Sequence, residues 1–159
     1  MSAAVEHYQE GNPKLREAAE LLGGAETLSR LPESSLDAHE LLARGLPPRA
    51  LEHLLDHLLV LKPSDALERA IGMSGRTLQR RRQVQTKLLD TNQSIRTWVF
   101  AKILGRATAV FGSQEEAERW LESPAMGLDR WRPLDLLATS EGAELVEDFL
   151  DRLEYGVYT

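Results

Sequence analysis

Apolar side chains in this chain recur at intervals of three and four residues, the spacing that lines one face of an α-helix, and the pattern predicts an all-α fold. Pro13 is placed to open a first helix whose face is Leu15, Ala18, Ala19 and Leu22, and Gly23-Gly24 ends it. A further helical turn is expected within residues 25–31, and Pro32 to Ser35 reads as a loop. Leu36, His39, Leu42 and Ala43 then mark a short segment stopped by Gly45, while residues 1–12 carry no period and are expected to fray. Residues 1–45 therefore read as an N-terminal helical extension. Pro47-Pro48 opens a stronger helix, from Arg49 to about Val60, with Leu51, Leu54, Leu55, Leu58 and Leu59 on a broad apolar face.

Residues 64–83 organise the rest, because a short apolar helix, a glycine and a basic helix follow without a break. Ser64 is expected to cap the first of the two, Asp65 adds negative charge at its positive end, and Leu67, Ala70 and Ile71 form its buried stripe. Gly72 can take a left-handed backbone at no steric cost, which gives a helix stop and a turn before Ser74 starts the next helix. This is helix-turn-helix spacing. In the second helix Leu78 points to the core and Arg76, Thr77, Gln79, Arg80, Arg82 and Gln83 face outward. Such side chains suit DNA: arginine for guanine edges and phosphates, glutamine for adenine, threonine for phosphate or a thymine methyl. The other reading is a solvated basic helix. The position four before the turn glycine, where two such helices usually approach over a small residue, carries Glu68. Residues 46–92 are assigned to this unit, and residues 93–159 to a second helical domain.

That second domain is expected to begin with a helix from about Ser94 to Phe111, apolar nearly all round and therefore a buried spine. Ser113 and Glu116 have capping-box spacing, and Trp120 and Leu121 follow on one face before Ser123-Pro124. Trp131 to Leu137 reads as a short helix with Pro133 in its first turn, and Thr139 or Ser140 caps a last helix with the face Leu145, Val146, Phe149, Leu150 and Leu153, closed by Gly156. Trp120, Leu121, Leu136 and Phe149 are read as core.

Charge sharpens the picture. A net −6 conceals segregation: residues 61–110 carry ten basic against three acidic side chains, and residues 111–159 four against twelve. An acidic protein with one cationic region can still bind DNA, since counterion release depends on local contacts. With no cysteine, disulfides, thiolate metal sites and cysteine nucleophiles are excluded, and with no export signal in Met1 to His7 a cytoplasmic protein is expected. No apolar stretch approaches a membrane span. His53 and His57 stand four apart, as two metal ligands on one helix would, but no third ligand is nearby and no metal or other cofactor is expected. No phosphate loop or nucleophile motif appears, so the chain is not expected to be an enzyme.

Arg76-Thr-Leu-Gln-Arg80-Arg81, Ala109-Val-Phe-Gly112, Glu116-Ala117 through Trp120-Leu121, Gly127-Leu128, Pro133-Leu-Asp-Leu-Leu137, Gly142, Val146, Leu150 and Tyr155-Gly156-Val157-Tyr158 resemble, in order, the Xre/MbcA/ParS-type antitoxins. Within that group the chain is most similar to Xre antitoxins partnered with RES-domain toxins, over roughly residues 36–159. The resemblance implies an Xre/Cro-like helix-turn-helix that represses its own operon at an operator, and a C-terminal domain that occludes the cleft of a NAD-degrading RES toxin. By position it assigns toxin contact to the last helix and tail, that is Glu147, Asp151, Glu154, Tyr155, Gly156, Val157 and Tyr158. A pocket that attracts an anionic dinucleotide is itself cationic, so acids there have a physical reason to engage it. A homodimer is expected, because one short recognition helix binds DNA weakly. The alternative is a dimeric helix-turn-helix repressor without a toxin partner.

Overall fold

The computed structural model describes residues 12–84 and 87–156, and every element among them is helical. Asn12 starts α1 (Pro13–Leu21) by accepting the Lys14 N–H at 3.0 Å, with proline at the first position, where a missing N–H costs nothing. α2 (Gly24–Leu28) follows the glycine pair. α3 (Ser35–Arg44) is capped by Ser34, whose hydroxyl accepts the Asp37 N–H at 3.1 Å, and it ends at Gly45. Its buried face centres on Ala38, with Leu41 and Leu42 partly covered, so Leu36 points into solvent instead of inward.

α4 (Pro48–Asp56) stops short of the Val60 its leucines predict. The cause is remote: the N–H groups of Leu59, Val60 and Leu61 all donate to the carboxylate of Glu118, at 2.9 to 3.0 Å. A backbone turned toward that acceptor cannot continue a helix, and Leu59 is left 65% exposed instead of joining the core. α5 (Pro63–Asp65) runs on into a π-helical turn, Ala66–Ile71, and α6 (Gly75–Gln83) follows. Lys62, not Ser64, is the capping position of α5, because Pro63 takes the first helical place.

α7 (Thr91–Phe111) begins ahead of the predicted Ser94 through a reciprocal cap: the Asp90 carboxylate accepts the Gln93 N–H at 2.7 Å, and the Gln93 side chain accepts the Asp90 N–H at 3.2 Å. Its 21 residues span about 30 Å. This spine packs against α1, α3, the π-helical turn, α8 (Gln114–Leu121) and α10 (Ser140–Glu154). Between the last two lie a 3₁₀ turn, Met126–Leu128, and α9 (Pro133–Leu136). Phe100, Ile103 and Leu104 of α7 are fully buried with Leu22, Leu51, Ile71, Leu121 and Leu150 in one continuous core. Each such side chain contributes about 2 kcal/mol relative to exposure. Trp120 is half-buried at the edge of that core, stacked on Phe149 and tilted against Phe111 with centroids 5.8 and 5.2 Å away.

Candidate nucleic-acid and partner interfaces

Local chemistry builds the helix–turn–helix segment. Gly72 ends the π-helical turn in the left-handed region, at φ 72°, and the Met73 N–H reaches back to the Leu67 carbonyl at 3.2 Å. Ser74 then caps α6, accepting the Thr77 N–H at 3.1 Å and exchanging a hydroxyl hydrogen bond with Thr77 at 3.0 Å. Thr77 is thereby half-buried and engaged in the cap. Leu78 is buried, as expected, and fixes which side of α6 faces away. Arg76, Gln79, Arg80 and Gln83 are exposed on the opposite side, one stripe at helical spacing. Arg82 lies on the flank beside Leu78, and its guanidinium pairs with Glu52 of α4 at 2.9 Å. Glu68 is exposed, so it does not intrude between the two helices.

Three contacts anchor this segment to the rest. Arg96 of α7 lies across the Gly72 turn and donates to the carbonyls of Ala70 at 2.9 Å and Arg69 at 3.4 Å, a cation on the negative end of a helix. A β-carbon at position 72 would strike that guanidinium. Burial lowers the Arg96 pKa below its usual value. Asp135 of α9 accepts from Arg69 at 3.2 Å and from Arg132 at 2.8 and 3.0 Å. Burial pushes its carboxyl up, but these two guanidiniums outweigh it and hold it below the usual range. Glu118 is the third anchor, fully buried, with Gln114 also donating to it at 2.9 Å. Neither Arg96 nor Glu118 stood out in the sequence, because both act on backbone far away along the chain.

The predicted partner-facing acids converge on α7. Glu147 pairs with Lys102 at 3.7 Å, and Asp151 and Glu154 both pair with Arg106, the latter at 2.9 Å. Burial works to lower the Arg106 pKa, but the two carboxylates prevail and raise it, so it stays charged. The three acids still keep 33%, 40% and 42% of their side chains in solvent. Tyr155 is exposed at the end of α10, and Gly156 follows with φ 68°. Val157 and Tyr158 lie outside the described residues. Glu144, Leu145 and Asp148 form the exposed face of the same helix.

Elsewhere, His53 and His57 stack at 4.0 Å. Each donates its Nδ1 hydrogen to a carbonyl, of Leu21 at 3.1 Å and His53 at 2.7 Å, because a carbonyl can only accept. Among the described residues no cluster of three or more His, Cys, Asp or Glu could hold a metal, and no helix is long and apolar enough to cross a membrane.

Residues 106–156 match the family described as the antitoxin Xre/MbcA/ParS C-terminal toxin-binding domain. Antitoxin Xre of Yersinia enterocolitica is 34% identical over 104 residues, covering 65% of this chain and 70% of that protein. The chain belongs to the Xre antitoxin family. Antitoxin Xre of Pseudomonas putida is also 34% identical, over 68 residues and 43% of each chain. The toxin-binding match takes in the Arg106 ion pairs, Glu118, Trp120 and all of α10 to Gly156. A toxin is thus the partner implied for this Xre antitoxin's C-terminal surface, while the arginine stripe of α6 precedes the match.

Proposed function

We propose that this antitoxin neutralises a RES-domain, NAD-degrading toxin by covering the toxin's active-site cleft with α10 and the tail beyond it, and that as a homodimer it represses its own operon through α6. The observation that carries the toxin half is the toxin-binding match over residues 106–156, which ends on the exposed Tyr155 and Gly156. Lys102 and Arg106 hold Glu147, Asp151 and Glu154 in fixed positions, and the solvent-facing part of each carboxylate is available to a cationic cleft. Ordering them in advance lowers the entropy lost on docking. Supporting the DNA half are the capped helix, the glycine turn and the outward stripe Arg76, Gln79, Arg80 and Gln83, with Arg82 and Thr77 flanking it. Residues 46–92 serve the DNA and residues 93–159 the toxin, while α1 and α3 of the N-terminal extension pack on the spine. The competing reading, a repressor with no toxin partner, leaves the toxin-binding match without a role.

The test mixes purified protein with a RES toxin and follows NAD loss. Stoichiometric arrest of NAD consumption is expected; unchanged toxin activity refutes the toxin reading. Removal of residues 155–159 is expected to weaken inhibition and leave DNA binding intact.

A further inference from the structure

We propose that the cleft between the start of α4 and the end of α6 seats a backbone phosphate of duplex DNA, gripped by Arg49 and Arg82, and that Glu52 is a built-in brake on that grip. This rests on the reading of α6 as the DNA-reading helix. The cleft is open, about 480 Å³, and Arg49, Glu52, Arg81 and Arg82 line it below Pro47 and Pro48. It holds three guanidiniums against one carboxylate. No side chain caps the N-terminus of α4, so the partial positive charge of that helix end adds to the same field.

Arg82 shows where the phosphate belongs. It stands on the flank of α6 beside buried Leu78, away from the stripe of Arg76, Gln79, Arg80 and Gln83, and so cannot share a groove with them. A helix with its side chains is about 10–12 Å across and nearly fills a major groove about 12 Å wide. A cation on the helix flank therefore meets the sugar–phosphate ridge, not base edges. Without DNA, Arg82 satisfies its charge on Glu52 at 2.9 Å. An incoming phosphate must take over that guanidinium and approach a like charge. Glu52 thus subtracts from binding at every sequence alike, which limits adhesion to random DNA while base readout is left untouched.

The experiment measures binding to two duplexes, one of mixed sequence and one selected from a random pool by the wild-type protein, across about 50 to 200 mM salt. Arg49→Ala is expected to weaken both by the same factor and to make the log–log salt dependence shallower by about 0.9, the signature of one lost phosphate contact. Glu52→Gln keeps the shape of the side chain and removes its charge; it is expected to tighten both about two- to fivefold, the worth of one partly exposed ion pair. Arg76→Ala serves as the control, and it should reduce preference for the selected duplex. If Arg76→Ala has its effect while Arg49→Ala leaves the salt slope unchanged, or Glu52→Gln weakens binding, the cleft assignment is overturned and the DNA-reading helix stands. If wild-type protein enriches no duplex from the pool and does not bind the mixed one, the reading of α6 falls and this inference with it. Saturable binding of inorganic phosphate without DNA, lost in Arg49→Ala, would assign the cleft to a free anion and overturn the proposal as well.

Discussion

Glu118→Ala should be the most damaging single substitution outside the leucine core. The carboxylate is fully buried and accepts from the N–H groups of Leu59, Val60 and Leu61 and from Gln114. Truncation to Ala removes every one of these acceptors at once. Leu61 is 3% exposed, so its N–H finds no water, whereas Leu59 on the surface rehydrates in part. One fully stranded donor and two partly stranded ones, at about 1–3 kcal/mol per buried unsatisfied group, total about 3–5 kcal/mol. In a chain of this size that is a fall in melting temperature of about 10 °C. Glu118→Gln keeps one oxygen in place for the three backbone donors and turns an amide toward Gln114, so it should cost about 1–2 kcal/mol. Urea unfolding of the three proteins, followed by circular dichroism, provides the comparison. A loss below about 1 kcal/mol for Glu118→Ala would show that the loop finds other partners, and would refute the claim that this carboxylate ends α4.

Further outcomes follow from the same contacts. Gly72→Ala, at φ 72° and against Arg96, should cost about 2 kcal/mol in urea unfolding, from left-handed strain and a displaced guanidinium together. Asp135 is held below its ordinary value of 3.8, so the unfolded chain takes up its proton first as pH falls. Its contribution is therefore complete above about pH 4 and is lost as acidity carries through the lowered folded pKa; Asp135→Asn should flatten stability over that acid window and leave its shape near neutrality unchanged. Arg80→Ala combined with Arg76→Ala should weaken binding to the selected duplex more than Arg80→Ala combined with Arg82→Ala, as read by fluorescence anisotropy, because only Arg76 and Arg80 share the outward stripe.

What could be read from the chain beforehand was whatever its local chemistry decides. Ser74, Ser113 and Thr139 cap the helices they precede, Pro13 and Pro133 stand at first helical positions, and Gly72 and Gly156 take left-handed backbone. Cap and proline signals act within one turn, so no tertiary partner is needed to see them. Some departures are local, as where Pro63 displaces Ser64 from the cap and Ser74 draws Thr77 inward, but those in packing and pairing have remote causes. Leu59 fits the apolar stripe of α4, yet an acid 59 residues later claims its backbone. Periodicity put Leu36 inside, but α3 turns Ala38 to the spine. Arg82 reads as one more outward arginine until α4 brings Glu52 beside it, and the acids of α10 read as free until Lys102 and Arg106 face them. Pairings between elements carry no period of their own, so the candidate side chains could be assigned to helices but their ion-pair partners could not.

The boundary of the toxin-binding match falls at residue 106, inside α7, where the helix continues without interruption for the whole stretch from Thr91 to Phe111. A fragment cut at that boundary would begin in mid-rod, stripped of Phe100, Ile103 and Leu104 and of the Asp90–Gln93 clasp that starts the rod. The smallest excisable toxin binder therefore starts at or before Asp90. Arg106 ties α10 to the same rod from which Arg96 reaches the Gly72 turn, so both candidate surfaces hang on one unbroken helix.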